Sequence, residues 1–297
     1  MNRIRKALTV VHSSNESNIP ELKFGGGATL FPAEYADDVD FYLRQLERRS
    51  LLDSDFLSRH KTVDGRMRQI LVDWLVHVQV RLKLTNETFS LSVYILDRSL
   101  LAHIGINKTN LQLLGVTCIF IAAKFEEMVM PNVADFVYVA ANMFKKDHIM
   151  RMEPQVLSGL KFNLSVPYSM QFLHRYRFYA SPSKSVWAFA KFISEIALVC
   201  YALAHFPPSV VAAVSLNLAA FAYGCPLQAP ELFVNVFRMS EAAVERISRS
   251  FVDHVIQFLD PIAKLGALRE KYRRQLCNYQ RAAGTSPGLW GSPSKTE

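Results

Sequence analysis

Apolar residues recur along this chain with the period of a helix, and no stretch alternates in the manner of a half-buried strand. The densest stretch runs from Arg66 to Val80, RMRQILVDWLVHVQV. Met67, Ile70, Leu71 and Trp74 fall at i, i+3, i+4 and i+7, one stripe of a helix, while Val72, Leu75, Val76 and Val80 add apolar surface on other sides. A helix that is apolar nearly all round belongs in the middle of a larger fold. Gln69, Asp73, His77 and Gln79 interrupt it, however, so two readings stand side by side. One is a plain core helix. The other is a core helix whose Met67/Ile70/Leu71/Trp74 stripe is also a shallow dock for an extended peptide.

Ahead of it, AEYADDVDFYLRQLERR predicts an amphipathic helix within residues 33–50. Asp37 and Asp38 sit in its first turn and Arg48 and Arg49 in its last, as the helix dipole favours. Its stripe of Tyr35, Val39, Tyr42, Leu43 and Leu46 needs a surface to cover, whether the rest of the chain, a partner, or both. After a linker over Leu51 to Asp64, the pattern predicts helices at 66–80, 86–102, 108–128, 133–141 and 147–160. Pro154 conflicts with the last of these, since an interior proline costs roughly 3 kcal/mol, so either that helix bends or it starts later. LKFNLSVP, from Leu160 to Pro167, reads as a boundary. Beyond it the same texture returns, with helices expected at 168–179, 185–202, 209–223, 230–236 and 240–259, and a last basic helix from Pro261 to Leu276. The expectation is an all-α fold of two successive five-helix groups, an internal repeat without close sequence identity. The expected divisions are a mobile tail over 1–32, the docking helix over 33–50, helical domains over 51–165 and 166–260, and a C-terminal helix with a disordered tail over 261–297.

Composition narrows the function. Half of the 297 residues are apolar, enough for a sizeable core. The net charge of +8 is scattered, with short clusters such as Arg48-Arg49 and Arg273-Arg274 interleaved among other residues, which describes a solvated surface better than a nucleic-acid face. Cys118, Cys200, Cys225 and Cys277 lie far apart, without the spacing of a disulfide framework or a zinc site, and fit a reducing compartment. The start, MNRIRKALTVVHSSN, has too short an apolar run for a signal peptide. The longest near-apolar run, Val210 to Tyr223, is shorter than the roughly 20 residues of a membrane span. Catalytic motifs are missing too: Gly25-Gly26-Gly27 lacks the lysine of a phosphate loop, and the histidines are scattered. Glu126 and Glu127, adjacent on a helix, point about 100° apart and do not converge as an acid/base pair. No enzyme, cofactor or metal is expected.

MRQILVDWLV resembles the signature of the cyclin box, and KFEE at Lys124 to Glu127 follows at the spacing expected between the first and third helices of that box. The resemblance covers roughly Glu34 to Tyr272, and YLRQLE at Tyr42 to Glu47 and HFPPS at His205 to Ser209 are similar to the B-type, mitotic branch. It implies two five-helix cyclin boxes in tandem, with an extra helix at each end. It also implies a non-catalytic activating subunit of a cyclin-dependent kinase, acting at the G2/M transition in nucleus and cytoplasm, with no membrane and no direct nucleic acid. The runner-up is a cyclin-fold adaptor of a transcription-associated kinase or general transcription complex, against which the scattered charge argues.

The resemblance also assigns roles. Lys124 and Glu153, each by itself an ordinary solvated helix charge, match the pair with which cyclins grip the kinase's regulatory helix. Phe125, Leu157, Phe162 and Leu164 should flank them, joined by Val39 and Tyr42 of the leading helix, although each equally suits a core. Arg68 and Asp97 match an internal ion pair of structural role. Met67, Ile70, Leu71 and Trp74, with Leu111 and Gln112, match the groove that takes Arg-x-Leu motifs of substrates and inhibitors. Where A-type cyclins hold a glutamate for the arginine, this chain has His77, so leucine docking is expected to survive and arginine preference to weaken. Arg5-Lys6-Ala7-Leu8 has the Arg-x-x-Leu form of a destruction signal read by the ubiquitin-ligase machinery, a form short enough to arise by chance. Ser181 and Ser292 each begin a Ser-Pro-Ser-Lys sequence of the kind proline-directed kinases modify, Ser292 in the tail and Ser181 in an interhelical loop of doubtful access.

Overall fold

The computed structural model describes residues 35–58, 60–102, 105–227, 231–259 and 266–283, and all regular structure among them is helical. The chain divides into two compact units. One takes in Leu43–Tyr168 and Ala197–Phe206, and the other the described parts of Met1–Tyr42, Ser169–Ile196 and Pro207–Glu297. The leading helix, α1 (Ala36–Arg49), contributes its first half to the second of these and its remainder to the first.

The first unit is built on α2 (Gly65–Leu82), α3 (Asn86–Leu101), α4 (Leu111–Glu126), α5 (Val133–Val139) and α6 (Lys146–Gly159). Asp64 caps α2, its carboxylate accepting the Met67 N–H at 2.8 Å, and Lys83 stops the helix in a left-handed conformation at φ 55°. Thr85 caps α3 in the same way. Helix α4 is the centre of the unit: every residue from Leu114 to Ala123 is buried, and α3, α6 and α2 pack round it. Gly115 makes the α2–α4 approach possible, because a Cβ there would stand 2.9 Å from Leu71 Cδ1. Pro154 does not delay α6, which begins at Lys146 and carries the proline in its interior. The proline lies on an exposed face, where water can satisfy the carbonyl that it leaves without a donor.

The second unit repeats the plan with α7 (Ser169–Ala180), α8 (Lys184–Val199), α9 (Pro208–Ala222), α10 (Leu232–Phe237) and α11 (Glu241–Leu259), the last three residues of α8 falling in the first unit. Its central helix is α9, buried over nearly its whole length and packed by α7 and α11. Two elements differ from expectation. The helix expected at 230–236 is a short π-helical segment, α10, closed by Arg238 at φ 53° and by the Met239 N–H donating to the Phe233 carbonyl. The single terminal helix expected over 261–276 is two helices, α12 (Ala267–Lys271) and α13 (Arg273–Ala283), while the first part of that span lies outside the described residues. The break has a cause. Lys271 and Tyr272 both turn to the buried carboxylate of Glu195, at 2.6 and 2.7 Å, and that tether sets the chain direction between the two helices.

Candidate partner-binding site

Lys124 stands in the last turn of α4, and Glu153 on α6 packs beside it. Their side chains meet at 2.6 Å, with the lysine 39% exposed and the glutamate 12%. The ammonium also lies over the Phe120 ring, 4.4 Å from its centroid. The pair is therefore held from below by an aromatic and open to solvent above. Of the residues expected to flank the pair, Phe125 is 52% and Phe162 69% exposed, while Leu157 and Leu164 are half-buried. Large apolar side chains left in water are the mark of a contact surface where they cluster. Met128 and Val129, just past α4, are exposed as well and extend the apolar area beyond the residues expected from sequence.

The two glutamates of KFEE hold this corner in place. Glu127 accepts from the Thr85 backbone N–H at 2.7 Å and from the hydroxyls of Thr85 and Thr88, which fastens the end of α4 to the start of α3. Glu126 accepts from the Tyr168 hydroxyl at 2.7 Å. Burial pushes that phenol well above its ordinary value, helped by the carboxylate, so Tyr168 remains a donor at any physiological pH. Neither carboxylate serves an acid/base pair. Sequence reading missed both tethers because each joins residues about forty positions apart. Thr85 three residues before Thr88 was the only local sign.

Arg68 is fully buried and binds Asp97 through two parallel bonds of 2.6 and 2.7 Å, tying α2 to α3. Its remaining arm donates to the carbonyls of Leu198 and Val199 at 3.0 and 3.1 Å. Asp97 also joins burial in raising the neighbouring Cys118 thiol well above its usual range, which keeps that cysteine a neutral core group.

On the α2 stripe, Ile70 is 54% exposed and Met67 and Trp74 are half-buried, whereas Leu71 and Leu111 are buried. Leu71 rests on Gly115, so these two leucines form a floor and Met67, Ile70 and Trp74 the walls. Gln112 is half-buried at the start of α4, and His77 is exposed one turn past Trp74. In the other unit, Tyr42 is 57% exposed, with Phe41 beside it equally so, and Val39 is half-buried. Asp40 points the opposite way and is 1% exposed, with Arg175 and Arg238 at 3.4 and 3.2 Å. Ser181 follows α7 at φ 43° and is exposed, so the loop does not hide it. Ser292, Arg5 and Leu8 lie outside the described residues.

No group of three or more metal-ligating side chains occurs among the described residues. No described helix is long and apolar enough to cross a membrane.

Comparison with known proteins defines the class. Residues 38–165 match the cyclin N-terminal domain and residues 167–287 the cyclin C-terminal domain. The chain belongs to the cyclin family, and is thus a regulatory protein rather than a catalytic one. Within the family it is cyclin-B-like. It is 42% identical over 188 residues to a G2/mitotic-specific cyclin-B of Arbacia punctulata, a match covering 63% of this chain and 46% of that protein. It is 35% identical over 243 residues to a G2/mitotic-specific cyclin-B1 of Carassius auratus, covering 82% and 60%. The chain thus spans about half the length of these relatives. Among solved structures, a viral cyclin from herpesvirus saimiri shares the fold, with TM-score 0.63 at 21% identity over 72% of this chain and 96% of that one.

Proposed function

We propose that this chain is the activating subunit of a cyclin-dependent kinase of the mitotic type, working at the G2/M transition in nucleus and cytoplasm. The observation that carries the reading is the Lys124–Glu153 pair, at 2.6 Å, with Phe125 and Phe162 exposed. The likeness to G2/mitotic-specific cyclins supports it. A kinase whose regulatory helix swings outward lacks the lysine–glutamate pairing that ATP phosphates need. A rigid surface that binds only the inward position shifts the population toward it by the difference in affinity between the two states. Lys124 and Glu153 grip that helix and its adjoining loop, Phe125, Leu157, Phe162 and Leu164 bury apolar surface against it, and Val39 and Tyr42 of α1 add to the contact. Rigidity comes from the Glu126 and Glu127 tethers.

The α2 stripe, with Leu111 and Gln112, recruits substrates and inhibitors through a leucine. Ser181 and Ser292 are substrates of the partner kinase itself, and Arg5 and Leu8 belong to a signal read by the ubiquitin-ligase machinery. Reconstitution tests the central step. The purified chain, mixed with a monomeric mitotic cyclin-dependent kinase, should raise phosphorylation of a Ser-Pro substrate strongly. Lys124→Ala and Glu153→Ala should each lower it by at least tenfold while leaving the chain folded by circular dichroism. Absence of both complex and activation would leave the cyclin fold without this role.

A further inference from the structure

We propose that the docking groove on α2 selects a leucine flanked by an acidic side chain, in place of the arginine of Arg-x-Leu motifs. The proposal rests on the docking reading above and specifies its ligand. At the Met67 end, the stripe opens into a cleft of about 500 Å³ whose lining includes His60, Lys61, Asp64, Met67 and Lys108. Met67 belongs to both, so a peptide lying on Ile70 and Trp74 runs directly into that cleft.

The charges of the cleft favour an anion. Lys61 and Lys108 are exposed and stand on its walls. Asp64 is the one carboxylate among the lining residues, and it is committed to capping α2 through the Met67 N–H at 2.8 Å. His60 adds no negative charge, since its Nδ1 accepts from the backbone N–H groups of Thr62 and Val63 at 3.4 and 3.1 Å. At the far end of the stripe stands His77, which carries no carboxylate either. Asp73, also on α2, is 7% exposed. Among the described lining residues the two exposed lysines outnumber the one carboxylate, so a glutamate or aspartate on the peptide is favoured there over an arginine. Complementarity of this kind sets specificity more than total affinity, because the apolar contacts supply most of the latter.

The test uses the full chain and fluorescent peptides of one sequence carrying a leucine, varied only at flanking positions on either side to Glu, Ala or Arg. Exposed ion pairs are individually weak. With two lysines on the cleft walls, the Glu peptide should bind about 3–10-fold more tightly than the Ala peptide at low salt, and the Arg peptide more weakly than both. The preference should shrink as salt screens the cleft. Lys61→Ala combined with Lys108→Ala should abolish it, leaving the leucine contribution intact, and both lysines are exposed enough to be replaced without loss of fold. Equal binding of the three peptides, or tighter binding of the Arg peptide, overturns the acidic preference while leaving the docking groove. Binding that does not change when the leucine becomes alanine overturns the groove as well.

Discussion

Arg68 has no contact with water, and all its charge is answered inside the protein by Asp97 and two carbonyl groups. Breaking such a pair by removing one partner leaves the other charge buried, at a cost of about 3–5 kcal/mol. Arg68→Ala is therefore expected to lower the unfolding free energy by that amount in urea titration, with Arg68→Lys nearly as damaging because an ammonium cannot reproduce the double bond to Asp97. The residue pair could be named from the sequence because the family resemblance pointed to it. Glu126, Glu127 and Asp40 could not. A glutamate at a helix end and an aspartate in the second turn of an amphipathic helix are ordinary solvated charges by every local rule, and what removes them from water here is a partner far along the chain.

At the scale of elements, the long helices were legible and the short ones less so. Helices α2, α3, α4 and α9 announce themselves through their apolar runs, and their ends fall within a few residues of the expected positions. Segment α10 and the α12–α13 break were not legible, since Arg238 is drawn toward Asp40 and Tyr272 toward Glu195, both distant in sequence. Helix α6 is instructive in another way. Its interior proline does not prevent Glu153, the residue before it, from meeting Lys124. Pro154→Ala should then stabilise the chain by about 2 kcal/mol, less than the full helix-interior penalty because proline also restrains the unfolded chain. Thermal unfolding would read the gain, and the activation read in the reconstitution proposed above should be unchanged.

For the whole molecule, the repeat is visible in the pattern of helices, but the division into units is not the same as the division of the sequence. Residues 35–42 belong with the unit built on α7 to α13, and Asp40 is their anchor. Asp40→Asn should weaken that unit by about 2–4 kcal/mol, somewhat below the figure for a wholly buried pair because the Arg238 side chain is 43% exposed. In hydrogen exchange, the amides of 36–42 should lose protection while those of α2 keep theirs.

That anchor also orders events at the ribosome. Helix α1 emerges well before the segments that carry Arg175 and Arg238. At roughly 5–20 residues per second, the carboxylate of Asp40 waits on the order of 10–40 s for its second arginine. Until then residues 36–42 of the helix lack the arginines that anchor Asp40, while the unit containing α2 to α6 has nearly all its residues in hand. A nascent chain of this protein therefore presents a folded first box with a loose leading segment.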